Sequence, residues 1–290
     1  MVAEVKSLSR KKCATAYPEL RFAVGAGASA GTLAQSHADQ PHELAGIGKL
    51  ILGLTFAHLG EGEEGLMEHQ VTVTSEHRQG ARTGTLRQMS GDLELSVNDA
   101  LNLVFSTGDG ACVLALLELA TSAGVDLLAE AQPVLATLGL DAITLTGLEQ
   151  EQSWGEGLLG QTTASSTLQL LHALGTPDSA EDLVDLGVSS AIRTRIHGWM
   201  SKVFEPAGLA SALPGFGPQR VPHQTLSGLE LTAYGAEHGF SSVLTLPNQA
   251  GEWVHVAAHL PPSSAGVRSP REISAVLGTL GLAAYRLTGD

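Results

Sequence analysis

AGIGKLILGLTFAHL, residues 45–59, is almost wholly apolar and holds one cation, Lys49, three residues after Gly46. The run predicts a helix beginning near Ala45 and closed by the glycines and glutamates of GEGEEG, residues 60–65. A lysine so near the start of an apolar helix needs polar partners for its amine, and the glycine before it leaves space where a larger side chain would stand.

The segments on either side give the architecture. RFAVGAGA (21–28) and GTLAQSHA (31–38) are apolar, alternating runs around a Ser-Ala-Gly turn and predict a β-hairpin. Ahead of them, MVAEVKSLSRKKCATAYPEL reads as a short amphipathic helix with no apolar stretch of secretory length, so a cytoplasmic protein is expected. Residues 67–97 keep no period and are expected to form loops and short helices. Ser96 then offers an N-cap with Asp99 three residues on, and Ala100, Leu103 and Val104 follow at helical spacing.

GDG, residues 108–110, interrupts that helix, and ACVLALLELATSAG resumes one that is apolar on most faces and therefore central. PVLATLGL (133–140) predicts a short helix, ITLTGLEQEQSWGEGLLGQ (143–161) a surface loop. Thr162 or Thr163 is expected to cap a helix whose Leu168, Leu171 and Leu174 form its buried stripe, and residues 180–204 are expected to be helical. VPHQTLSG (221–228), GFSSVLTLP (239–247) and EWVHVAAHL (252–260) alternate and read as antiparallel strands. Ser269 and Pro270 open a last helix.

This order predicts an α+β fold: an antiparallel sheet formed from both chain ends and flanked by helices, with an inserted all-α lobe. The expected division is residues 1–50 with 205–290 around the sheet, and 51–204 as the helical lobe. The chain has 290 residues, 43% of them hydrophobic, enough for a full core. Its 30 acidic against 16 basic residues give a formal charge of −14, which repels nucleic-acid phosphates and anionic membrane surfaces. The longest apolar stretch, residues 101–120, is broken by GDG and carries Asp109 and Glu118. Cys13 and Cys112 are too few and too far apart for a disulfide framework or a zinc site. His37, His42, His58, His69 and His77 form no i, i+4 pair joined to an acidic ligand, so neither a metal nor another cofactor is expected.

The spacing of four segments resembles that of the class A β-lactamases, within the superfamily of serine β-lactamases and penicillin-binding proteins, over nearly the whole chain. AGIGKLILGL looks like the S-x-x-K helix start of that family, with Gly46 in the serine position and Lys49 kept. Gly108, Asp109 and Gly110 stand at the S-D-N element, TTASSTLQLLHALG resembles the helix after the omega loop, and Gln224, Thr225 and Leu226 stand at K-T-G. The resemblance implies a β-lactamase/transpeptidase-like fold and a cleft lined by these positions. It also implies what is missing, since in the family the first serine attacks the carbonyl and the second relays a proton, neither of which glycine can do. Loss of the nucleophile alone costs about 10⁶ in kcat, or roughly 8 kcal/mol of barrier. Glu149, Glu151 and Glu156 are the candidate loop carboxylates, with no family-like spacing to select one.

Three functional expectations follow. The first is an inactive relative of the hydrolases, whose cleft is vestigial or binds a small molecule or a protein. The second is a hydrolase or cyclase with redirected chemistry through Lys49, Asp109 and a loop glutamate, the lysine acting as base or imine-forming nucleophile. The third is an interaction scaffold with a filled cleft. Against the second stand plain structural roles: Lys49 held by carbonyls, Asp109 accepting backbone N–H groups at the break in the helix, and Gly108 and Gly110 serving positive φ. His223 reads as packed or solvated, and Ser29, Ser36 and Ser106 are poorly placed to replace the nucleophile.

Overall fold

The structure is a computed structural model that describes residues 19–26, 31–150, 152–177, 188–203, 207–215, 221–229, 239–262 and 269–287. The expected N-terminal helix, Ser29, Glu151 and the first part of the 180–204 segment lie outside the described residues. The elements, in chain order, are β1 (Arg21–Ala26), β2 (Thr32–Ser36), β3 (His42–Glu43), α1 (Gly46–Gly62), β4 (Gln70–Val73), α2 (Ser75–Gly80), β5 (Leu93–Ser96), α3 (Val97–Thr107) and α4 (Gly110–Ser122). There follow α5 (Leu127–Thr137), β6 (Thr144–Leu148), β7 (Leu158–Thr162), α6 (Ala164–Leu174), α7 (Ser190–Met200), β8 (Gln224–Leu229), β9 (Phe240–Pro247), β10 (Trp253–Leu260) and α8 (Pro270–Tyr285).

The hairpin β1–β2 and the three late strands form one antiparallel sheet in the order β2-β1-β10-β9-β8, built from both ends of the chain as expected. Alternation divides its side chains between two faces. Phe22, Val24, Leu244, Leu246, Val254 and Val256 pack with Leu277 and Leu280 of α8. Ala23, Leu226, Val243 and Ala257 point the other way, into a larger core with Ile47 and Leu50 of α1, Leu171 of α6 and Ile196 of α7.

The local signals that start helices hold. Ser96, Thr163, Ser189 and Ser269 each accept a backbone N–H near their own helix starts, and Ser269 forms a capping box with Glu272. Residues 51–204, expected to be all helical, also contain four short strands: β4 pairs with β5, and β6 and β7 join β3 in a three-stranded sheet. Residues 144–148 and 158–162 therefore pair as strands, where the sequence predicts a surface loop. The short helix expected over 133–140 begins earlier, at Leu127, capped by Asp126, and runs through Pro133. Among the described residues no single helix is long and apolar enough to cross a membrane.

Candidate functional site

β3 delivers the chain to the start of α1 through Leu44, whose N–H donates to Gly160 O at 2.9 Å, and then Ala45, which sits at φ 47° and ψ −129°. That is left-handed territory for a residue with a Cβ, a strained conformation that persists only where neighbours hold it. They do so one turn on. A Cβ on Gly48 would overlap the Leu158 carbonyl oxygen and lie 2.8 Å from that of Glu156, so the first turn of α1 rests directly on the backbone entering β7. Lys49 follows, 4% exposed. Its Nζ is 3.6 Å from where a Cβ on Gly108 would stand, so the fold brings together the expected first and second motif positions.

Gly108 is the C-cap of α3 and occupies the left-handed region, φ 61° and ψ 44°, as a turn at that point requires. Gly110 differs from expectation: it is the first residue of α4, without positive φ. What it serves is a close approach, since a Cβ there would be 2.5 Å from Ser153 O. Asp109, between them, is fully buried. Its Oδ1 accepts from the N–H groups of Ala111 and Cys112 at 3.2 and 3.3 Å, and its Oδ2 from Leu86 N at 2.9 Å and the Thr85 hydroxyl at 3.4 Å. A carboxylate with four donors around it is a cap and a tether, with little capacity left to take a proton from a ligand. Burial, and after it Asp109, pushes the Cys112 thiol far above the ordinary thiol range, so its thiolate is suppressed.

The connection between β6 and β7 is organised by Glu149. Its carboxylate accepts from the Ser153 hydroxyl at 2.7 Å and from the N–H groups of Trp154, Glu156 and Gly157 at 3.0, 2.9 and 3.0 Å. This explains why the segment is buried where the sequence reads as surface: one carboxylate supplies the acceptors that water would otherwise provide. Gly155, at φ 81°, lies on Gly108 so closely that a Cβ would overlap the Gly108 carbonyl oxygen. The connection is thus seated on Gly48, Gly108 and Gly110 at once. Glu156 is 3% exposed and stands beside α1, whereas Glu149 is consumed by the loop.

β8 forms one edge of the described sheet, and α1 packs against both β8 and β9. Thr225 donates its hydroxyl to Val243 O at 2.8 Å. The Gln224 amide meets Nδ1 of His197, whose Nε2 contacts Leu174 O at 3.1 Å. Burial, with Arg193 adding to it, lowers the His197 pKa against the opposing pull of those two hydrogen bonds. Sequence reasoning missed His197, because nothing in its own helix distinguishes it. The hydroxyls of Ser153, Thr225 and Thr83 each donate to a fixed acceptor, Thr83 to Gly108 O at 2.7 Å.

A family model described as the β-lactamase enzyme family matches residues 12–216. The chain belongs to that family. Solved structures of similar fold superpose on it almost end to end. A β-lactamase from Xanthomonas campestris has a TM-score of 0.70 at 15% identity, with 99% of this chain and 98% of that one covered. A class A β-lactamase from Mycobacterium abscessus gives 0.63 at 18% identity, covering 98% and 99%. PBP-A, solved as an acyl-enzyme complex with penicillin G, gives 0.62 at 17% identity, covering 99% and 96%. No curated protein sequence matches the chain. At these identities the likeness concerns the fold: a serine β-lactamase-like arrangement of mixed helices around an antiparallel sheet.

Proposed function

We propose that this chain keeps the family scaffold without its acyl-enzyme chemistry and uses the cleft, if at all, to bind a small molecule or a protein. In this reading Gly46 stands where the attacking serine belongs, Gly108 and Gly110 flank Asp109 at the second motif, and Gln224 replaces the lysine of the third. The observation that carries it is the juxtaposition of Lys49 with Gly108: the amine is in place against a motif position that has no hydroxyl. The buried hydroxyls nearby are engaged in structural hydrogen bonds, which also supports the reading. Redirected chemistry through Asp109 or Glu149 is disfavoured because both carboxylates already accept from several donors.

The test is incubation of the full chain with a chromogenic cephalosporin and a fluorescent penicillin, followed by intact-mass measurement. Neither turnover nor a covalent adduct is expected. An adduct that survives Lys49→Ala would place a nucleophile elsewhere in the chain, and one that disappears would make Lys49 the reacting group; either overturns the proposal.

A further inference from the structure

We propose that five histidines between the sheet and the elements behind the cleft, four of them buried and His172 partly so, form an acid-released latch, packing α6, β3 and α7 onto the sheet when neutral and releasing them when protonated. The inference stands apart from the functional reading above, since it concerns the layer that supports the motif positions whatever they do.

His255 and His259 of β10 are fully buried and point to the same face as Ala257 between them. Each Nδ1 meets a hydroxyl on the neighbouring strand, His259 that of Ser241 at 3.0 Å and His255 that of Thr245 at 2.8 Å. His42 of β3 stacks on His259 with ring centroids 4.0 Å apart and planes within 5°. His172 of α6 meets His255 edge-on at 5.0 Å, and its Cε1 lies 3.0 Å from where a Cβ on Gly25 would stand, so that glycine makes room for the ring. His197 of α7 completes the layer through Gln224, the register partner of Thr245.

Two arginines stand by the layer. β1 brings Arg21, the register partner of His259, whose guanidinium donates to Pro41 O at 2.5 Å. α7 brings Arg193, which acts on His197, whereas Arg195 lies against Gly60 near the far end of α1; α1 carries Lys49 and, near that same end, Glu61, and β3 brings one carboxylate, Glu43. β2, β7, β8, β9 and α6 add no charged side chain. Neutral imidazoles can stack and share hydrogen bonds with hydroxyls, but protonation would put cations face to face, out of water and near other cations. Burial lowers the pKa of His172 and of His197. In the folded chain these two rings resist protons that the unfolded chain accepts near pH 6.5, so their contribution to stability is full above about pH 6.5 and falls as the pH drops below it. The consequence reaches the cleft, because His42 lies three residues before the strained Ala45 and His197 holds Gln224.

Denaturant unfolding of the full chain from pH 8 to pH 5 reads the number of protons taken up, as the slope of the logarithm of the unfolding constant against pH. An uptake of about two or more protons between pH 6.5 and 5 is expected, and a slope below one in that window overturns the proposal. The double variant His172→Gln/His197→Gln should reduce the uptake by about two, and an unchanged slope would likewise overturn it. Should that variant fail to fold, the carbon-13 resonances of the histidine rings in the unaltered chain decide: buried rings still neutral at pH 5.5 in the folded form support the latch, and rings that protonate without loss of near-ultraviolet dichroism overturn it.

Discussion

At the start of α4 the cap position holds Asp109, whose side chain accepts from two N–H groups of its own helix and from Leu86 and Thr85 beyond it. At the start of α1, a side chain away across the site, the cap position holds Ala45 at φ 47°, with no side-chain cap among the described residues. The first helix start is secured by its own residue, and the second is secured from outside, by Gly160 holding Leu44 and by the β7 entry pressed on Gly48. Strain of this kind costs on the order of 1–3 kcal/mol and survives only when the surroundings fix it. One helix start thus carries its own cap, and the other depends on the strands and glycines packed around it.

The contrast can be broken most forcefully at Asp109. Asp109→Ala leaves buried donors unpaired and should lower stability by about 4 kcal/mol in denaturant unfolding. Asp109→Asn should cost about half as much, because one carbonyl oxygen can still accept at the cap. A loss under 1 kcal/mol for the alanine variant would mean that α4 is held from outside as well. Next comes Gly48→Ala, which drives a methyl group into the Leu158 carbonyl and should cost about 3 kcal/mol, with faster hydrogen exchange at the Glu156 and Gly157 amides. Normal exchange there would show that α1 does not lean on this connection. The smallest effect is a gain: Ala45→Gly relieves the positive φ and should stabilise by about 1 kcal/mol, raising Tm by roughly 2 °C. If it destabilises instead, the conformation of Ala45 is not the stored strain inferred from its dihedral angles.

The sequence shows its local instructions plainly. The caps at Ser96, Thr163 and Ser269 are legible because a cap is satisfied within three residues of itself. The role of Asp109 at the break between two apolar helices can be anticipated for the same reason. The four strands β4 to β7 cannot, because each spans four or five residues, too few to establish a period. β6 and β7 also contain Gly147 and Gly160, and a Cβ on the latter would overlap Thr144 O. The Glu149 knot lies in a stretch with three similar glutamates, and only the placement of the N–H groups of Trp154, Glu156 and Gly157 singles one out.

By itself, then, the chain determined the helix starts near Ala45, Ser96, Thr163 and Ser269, its hairpin, the strands of its five-stranded sheet and the glycines at positions 46, 108 and 110, all readable from residue type and spacing. Tertiary structure alone decided that Lys49 faces Gly108, that Ala45 is strained, and that His42, His172, His197, His255 and His259 share one layer. The physical reason is distance along the chain. Caps and periods are set by neighbours a turn away, whereas a buried amine or imidazole takes its chemistry from whatever the fold packs against it.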